Sequence, residues 1–265
     1  MIKNLILFFT FFVIIPCNVY SQNIKLSSEE IFKKCAKSVV TIYIMKNKEF
    51  ISSASGVFIS NKGYLVTNFH VLEGIIKADA DYAFIKNEDK FESLGNLVCF
   101  WEEADLAIFK ISPFKFPGLK IDDSNTLNVG SKVYTISSPI GIENTFSEGM
   151  VSKLQCEIPE LPKLYTKIHT TANYTHGSSG GALLNEFGEL VGILQGGNET
   201  KDGVRANINW AIPIVLLRHL IQSSECKIEK DPFKYEPKIE KDKQIVPVVE
   251  KPKGLQENPS EVNKD

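Results

Sequence analysis

The segment Thr175-His176-Gly177-Ser178-Ser179-Gly180-Gly181-Ala182 sets a serine among glycines. A hydroxyl that is to attack a carbonyl needs a turn that exposes it and nearby backbone N–H groups to hold the developing negative oxygen. Glycines around Ser179 let the backbone approach a substrate carbonyl closely, so the N–H groups of Gly177 and Ser179 are natural oxyanion donors. A Gly/Ser-rich hairpin would have a similar composition, so the assignment depends on partners elsewhere in the chain.

A base for that serine must sit on a rigid element beside a cleft and titrate near neutrality, which histidine does unperturbed. Of four histidines, His70 stands out because the apolar run Gly63-Tyr64-Leu65-Val66-Thr67 leads into Asn68-Phe69-His70, placing it at the end of an expected strand. His169, His176 and His219 are its competitors. The acid is read in Glu103-Ala104-Asp105-Leu106-Ala107-Ile108. A carboxylate heading an apolar strand can be partly buried, accept the imidazole N–H and select its tautomer. His70, Asp105 and Ser179 then follow one another in the chymotrypsin-type order, a triad for acyl transfer that requires no metal or organic cofactor.

These residues need a scaffold of short strands. From Ser38 onward the chain runs in short stretches of Val, Ile, Tyr, Phe and Thr punctuated by Gly, Asn, Asp and Pro, the texture of an all-β protein. Strands are expected at 39–45, 49–59, 64–67, 83–85, 97–101 and 106–111, and again at 132–137, 145–154, 163–170, 181–184, 190–195 and 206–211. This predicts two six-stranded antiparallel β-barrels, about 38–112 and 130–212, with the base and acid in the first and the nucleophile in the second. Ser27-Ser28-Glu29-Glu30 offers a capping box for a short N-terminal helix, and Ile214–Ile221 reads as a closing helix.

Lys3, the apolar run Leu5–Ile15, Pro16 and Val19-Tyr20-Ser21 read as a signal peptide over residues 1–21 cleaved after Ser21. The run is short for a membrane span, so no stable insertion is expected after cleavage. Pro16 disfavours acylation of Cys17. Residues 22–221 would be the folded domain, and 222–265, dense in Lys, Glu, Asp and Pro, a disordered tail. A net charge of -2 argues against a nucleic-acid partner. Export permits disulfides among Cys35, Cys99, Cys156 and Cys226, but their scattered spacing makes free buried thiols the plainer expectation.

At these motifs the chain resembles the HtrA/Deg family of trypsin-like proteases, through Ala54–Ile59, Gly63–Leu72, Asp105–Lys110, Gly130–Ser152 with Ser138-Pro139-Ile140-Gly141, Ile168–Ile193 and Asn209–Pro213. The resemblance implies a double-barrel, ATP-independent serine endopeptidase acting on unfolded or extended polypeptides in the periplasm or outside the cell, often as a homo-trimer. It further implies that Asn173, Tyr174, Thr175 and His176, with Leu194, Gln195, Gly196 and Gly197, wall the primary pocket, the latter strand pairing with the substrate backbone. Asn173 stands where an Asp would select Lys or Arg, so a small or medium apolar side chain is the expected preference.

Thr175-His176-Gly177-Ser178 departs from the family's usual Asn-Pro-Gly-Asn. Ser178 also replaces the acid that digestive trypsins pair with a new N-terminus, so activation by such a cut is not expected. The stretch after Ile221 is too short and polar for the family's usual PDZ domain. Two alternatives remain open at this point. One is a weak or inactive relative acting as a chaperone or adaptor. The other is an α/β-hydrolase esterase, since Gly177–Gly181 fits G-x-S-x-G with Asp202 and His219 following.

Overall fold

Val39–Met45 is apolar with scarcely any alternation, as suits a strand covered on both faces. In the computed structural model, which describes residues 24–112, 116–122, 127–155, 166–199 and 205–223, it forms β1 (Val39–Lys46) at the heart of the first unit. One face packs with Phe58, Leu65, Ile85 and Phe109 in an interior core. On the other, Tyr43 stacks on Phe84 with centroids 5.1 Å apart.

The remaining strands are β2 (Glu49–Phe58), β3 (Tyr64–Thr67), β4 (Tyr82–Asn87), β5 (Lys90–Ser93), β6 (Asn96–Trp101) and β7 (Leu106–Lys110). They are antiparallel in the order β5-β4-β1-β2-β3-β7-β6. The first unit is thus a curled half-barrel of seven strands rather than six, and with the second it matches the expected chymotrypsin-like double-barrel fold. The additional strand, β5, has only four residues, Lys-Phe-Glu-Ser, too short and polar to show an apolar alternation.

The second unit meets the expectation of a closed six-stranded barrel, ordered β10-β13-β12-β11-β8-β9. Its strands are β8 (Lys132–Ser137), β9 (Thr145–Gln155), β10 (Lys167–Thr170), β11 (Ala182–Leu184), β12 (Leu190–Glu199) and β13 (Arg205–Pro213). Val133, Val151, Ile168, Leu183, Val191, Leu194 and Ala211 fill its interior.

Three α-helices complete the fold among the described residues. α1 (Ser28–Cys35) carries the expected capping box: Ser27 N–H donates to Glu30 Oε2 (2.8 Å) while Ser27 Oγ accepts from Glu30 N–H (3.3 Å). Backbone bonding to Asp105 anchors the start of α2 (Phe69–Lys77), which buries Val71, Leu72 and Ile75 against the first core. α3 (Ile214–Gln222) closes the chain as expected. Ile31 and Cys35 of α1 and Leu217 and Leu220 of α3 join Val57, Val66 and Ile108 from the first unit and Ile136, Leu184 and Ile193 from the second in one continuous core. Burying such a seam removes apolar surface from water on both sides, at roughly 25 cal/mol per Å², and fixes the two units against each other.

Cys35 is a free, buried thiol as expected, and burial raises its pKa to about 11. Cys99 corrects the same expectation, because it is disulfide-bonded. The signal-peptide and tail readings lie outside the described residues. Among those described, no helix is long and apolar enough to cross a membrane.

Candidate active site

β3 ends at Thr67, and His70 stands in the first turn of α2 rather than at a strand end. The apolar residues run on without a break from strand to helix, so periodicity does not reveal the switch. The helix start supplies a benefit a strand end lacks. The first N–H groups of a helix have no intrahelical acceptor, and that of His70 donates to Asp105 Oδ1 at 2.9 Å. The imidazole Nδ1 lies 2.9 Å from Asp105 Oδ2 and 3.1 Å from Oδ1. An ionised carboxylate only accepts, so the proton sits on Nδ1 and Nε2 keeps its lone pair. The acid is mostly enclosed, with its side chain 14% exposed, while the imidazole is 45% exposed.

Asp105 precedes β7 as expected, in a turn closed by its own N–H on Glu102 O at 2.9 Å. Its φ of 54° is in the left-handed region, which Asp tolerates better than most residues. Asn68, fully buried, donates Nδ2 to Asp105 O at 3.1 Å and so pins this conformation. Among the described residues its Oδ1 is buried without a partner, which costs stability at this point. Sequence reasoning missed Asn68, whose signal was a cap-type residue two places before the histidine.

The nucleophile loop is held by its carbonyls. Thr175 O accepts from Ser178 N–H (2.9 Å), His176 O from Ile140 N–H (2.8 Å) and Ser178 O from Gly181 N–H (2.9 Å). Gly177 O accepts from Ser55 Oγ (2.8 Å) and Ser179 O from Ser55 N–H (2.8 Å). Ser55 Oγ also receives Ser138 N–H at 2.9 Å. Five consecutive carbonyls are therefore engaged. Among the described residues, none accepts from the N–H of Gly177 or of Ser179. In a trans peptide the N–H points opposite the carbonyl before it, so fixing His176 O and Ser178 O aims those two N–H groups away from the loop's anchors.

This loop admits no side chain at two of its glycines. Gly177 has φ 85°, and a Cβ there would lie 2.7 Å from Ile140 N. At Gly180, φ 86°, a Cβ would lie 2.1 Å from Ser55 O. Behind the loop Ser178 is fully buried, accepting from Ser137 Oγ at 3.1 Å and Thr175 N–H at 3.3 Å. Ser55 is a second residue that sequence reasoning missed.

Ser179 is half-buried, and its hydroxyl donates to Gln195 O at 3.4 Å; it makes no hydrogen bond to His70. His70 and Asp105 are thus brought into direct contact, while Ser179 is joined to them through Gln195. That residue's Nε2 donates to Asp105 Oδ2 at 2.9 Å.

The expected pocket walls divide. Asn173 and His176 are exposed and Thr175 half-buried. Tyr174 packs on the second-barrel core and donates its hydroxyl to Trp210 O, burial pushing the phenol far above its ordinary pKa. Leu194 is wholly enclosed in that core and the Gln195 side chain is turned to Asp105. Gly196, at φ 117°, would bring a Cβ within 3.7 Å of Ser179 Oγ. β11 pairs with β12 only as far as Ile193, and Gly196 and Gly197 pair only with β13 on the other side.

Residues 54–193 match the family described as trypsin-like peptidase domain, and the chain belongs to that family. It is similar to proteins named probable periplasmic serine endoprotease DegP-like. The one from Hahella chejuensis is 35% identical over 167 residues, covering 63% of this chain and 34% of the relative. Its counterpart from Pseudomonas savastanoi pv. phaseolicola is 34% identical over 169 residues, covering 64% and 34%. This chain therefore spans about a third of the length of these curated relatives. Among solved structures, the HtrA-type protease AlgW with a tripeptide is 30% identical with a TM-score of 0.62, covering 76% of this chain and 64% of that one. The serine endoprotease from Yersinia pestis is 29% identical with a TM-score of 0.61, covering 75% and 66%. The resemblance to HtrA/Deg proteases thus holds. The antiparallel sheets leave no place for the α/β-hydrolase alternative, which needs parallel strands alternating with helices.

Proposed function

We propose that this chain is an exported serine endopeptidase that hydrolyses peptide bonds of unfolded or extended polypeptides, with Ser179 as nucleophile, His70 as general base and Asp105 as its orienting acid. The observation that carries the reading is the loop of five engaged carbonyls in which, among the described residues, the N–H groups of Gly177 and Ser179 are uncommitted. Such donors act where charge develops and need no reorganisation when it does.

The substrate strand adds to the side of β12 beyond Leu194, past the last main-chain bonds to Gly180 and Gly181, which favours extended chains over folded ones. Ser179 Oγ turns from Gln195 O and attacks the scissile carbonyl carbon while its proton passes to His70 Nε2. Gly177 and Ser179 N–H hold the oxyanion. The tetrahedral adduct collapses, the C–N bond breaks, and His70 returns the proton to the leaving amine. Water, activated by the same imidazole, then releases the acyl group from Ser179. The periplasm is proposed as the working compartment from the names of the relatives, and a trimer from the family resemblance alone.

The test is labelling of the mature protein by a fluorophosphonate together with cleavage of denatured casein. Both are expected in the wild type and absent in Ser179→Ala. A wild type that is neither labelled nor cleaves, yet suppresses aggregation of a denatured client, would overturn the peptidase reading in favour of a holdase.

A further inference from the structure

The turn Pro139–Gly141 places Ile140 at φ 45°, ψ 33°, in the left-handed region. Among the described non-glycine residues with positive φ it is the one β-branched side chain, the type that region suits least. Burial does not compensate for the strain, because Ile140 is 62% exposed, and Ile142 two places on is 59% exposed. Glycine would serve the backbone better here. Neither the turn nor the core accounts for an apolar side chain at this point, and strain held in a rigid setting points to a use for it.

The setting is rigid and lies against the nucleophile loop. Ser138 Oγ accepts from Thr41 Oγ1 at 2.6 Å, and Glu143 pairs with Lys86 and accepts the Glu88 N–H at 2.9 Å, so the first unit grips the turn on both flanks. Ile140 N–H donates to His176 O at 2.8 Å, and its nitrogen would lie 2.7 Å from a Cβ on Gly177. In the barrel β11, which the nucleophile loop enters, lies between β12 and β8, and β8 runs out into this turn. Ile140 and Ile142 therefore stand across Ser179 from the free edge of β12.

We infer that Ile140 and Ile142 form an apolar subsite for the leaving-group half of the substrate, selecting apolar side chains in the first two residues after the scissile bond. A chain whose acyl half lies along β12 must cross Ser179 and continue over Gly177 toward this turn. There it meets two isoleucines already fixed by the turn, so little ordering cost is left to binding. An unfolded polypeptide offers apolar side chains that a folded one keeps in its core, which gives the subsite a means of telling the two apart.

This inference rests on the proposed peptidase reading, and its test separates the two. Two quenched fluorogenic peptides share one acyl half and carry either Val-Val or Ser-Ser after the scissile bond. The wild type is expected to favour the Val-Val peptide about tenfold in kcat/KM, the low end of what an apolar group gains in a pocket. Ile140→Gly removes the side chain and relieves the strain, so it should bring the ratio to about one with Tm close to that of the wild type. Ile142→Ser, at an ordinary φ of -79°, should leave a ratio of about three. Each ratio is taken within one enzyme, so a general loss of turnover does not mimic the effect. A wild-type ratio near one, or a ratio kept in both variants, would overturn the subsite. In Ser179→Ala, the δ1-methyl NMR resonances of Ile140 and Ile142 are expected to shift on titration with the Val-Val peptide and not with the Ser-Ser one. Equal shifts with both peptides, or none with either, would also overturn it. An unlabelled wild type would sink the peptidase reading, while these resonances still decide whether the two isoleucines hold an apolar chain.

Discussion

The two halves of the molecule meet the demands of one site in opposite ways. The first unit is an open sheet of seven strands, and it presents its functional groups as side chains, His70 and Asp105, on the start of a helix and the turn before a strand. The second is a closed barrel, and it presents chiefly backbone: a glycine-bearing loop whose carbonyls from Thr175 to Ser179 are engaged while, among the described residues, the N–H groups of Gly177 and Ser179 are not. Side chains can be steered by one or two hydrogen bonds each. A backbone can be aimed only by fixing every peptide around it, which is why the second half carries the denser bonding.

That contrast can be broken first at the chemical groups themselves. Ser179→Ala and His70→Ala should each lower kcat/KM by several orders of magnitude, leaving roughly 10³-fold over water from the oxyanion donors and binding alone, as read by casein or peptide turnover. Asp105→Asn should cost roughly 10⁴-fold in kcat through the wrong tautomer, without loss of folding by circular dichroism. Unchanged activity in that variant would remove Asp105 from the site.

Backbone aiming is tested by two glycines with similar φ. Gly180→Ala drives a Cβ to 2.1 Å from Ser55 O, whereas Gly130→Ala, at φ 89°, meets nothing within 4 Å. The first should lose most activity and several degrees of Tm. The second should pay only the left-handed backbone strain, ~1 kcal/mol, and keep its kcat. Equal losses in both would show that strain rather than contact with the first unit governs the loop.

On the first unit's side, Ser55→Ala removes the hydroxyl that donates to Gly177 O and accepts Ser138 N–H. It should cost ~1–2 kcal/mol in chemical denaturation and lower kcat more than KM. The smallest effect is expected far from the cleft. With its pKa raised to about 11 by burial, Cys35 should resist iodoacetamide at pH 8 in the folded protein and react once unfolded. The sign of the linked stability follows: unaffected below about pH 9, it should fall as pH rises toward about 11, because only the unfolded chain then releases the thiol proton.

Much of this was legible before any coordinates. Ser179, His70 and Asp105 stand out by residue type and by the apolar runs beside them, and most strand positions follow from short β-branched stretches bounded by turn residues. The failures share a cause. β5 is too short and polar to show a period, and α2 continues the apolar texture of β3, so local pattern cannot separate helix from strand there. Tyr174, Leu194 and Gln195 come as pocket walls from the family resemblance alone. Nothing in the local sequence shows that Tyr174 packs on the barrel core, that Leu194 lies within it, or that a register break turns Gln195 toward Asp105.

The sequence by itself determined the chemistry on offer and the strand-rich scaffold, because nucleophile, base, acid and glycine turns are properties of residue types and near neighbours. Only the tertiary structure decided that Asn68 pins Asp105, that Ser55 grips two peptides of the loop, and that Gln195 reaches from one half to the acid of the other. Those partners lie far apart along the chain, and no local rule of spacing brings them to hydrogen-bond distance; the packing of the two units does.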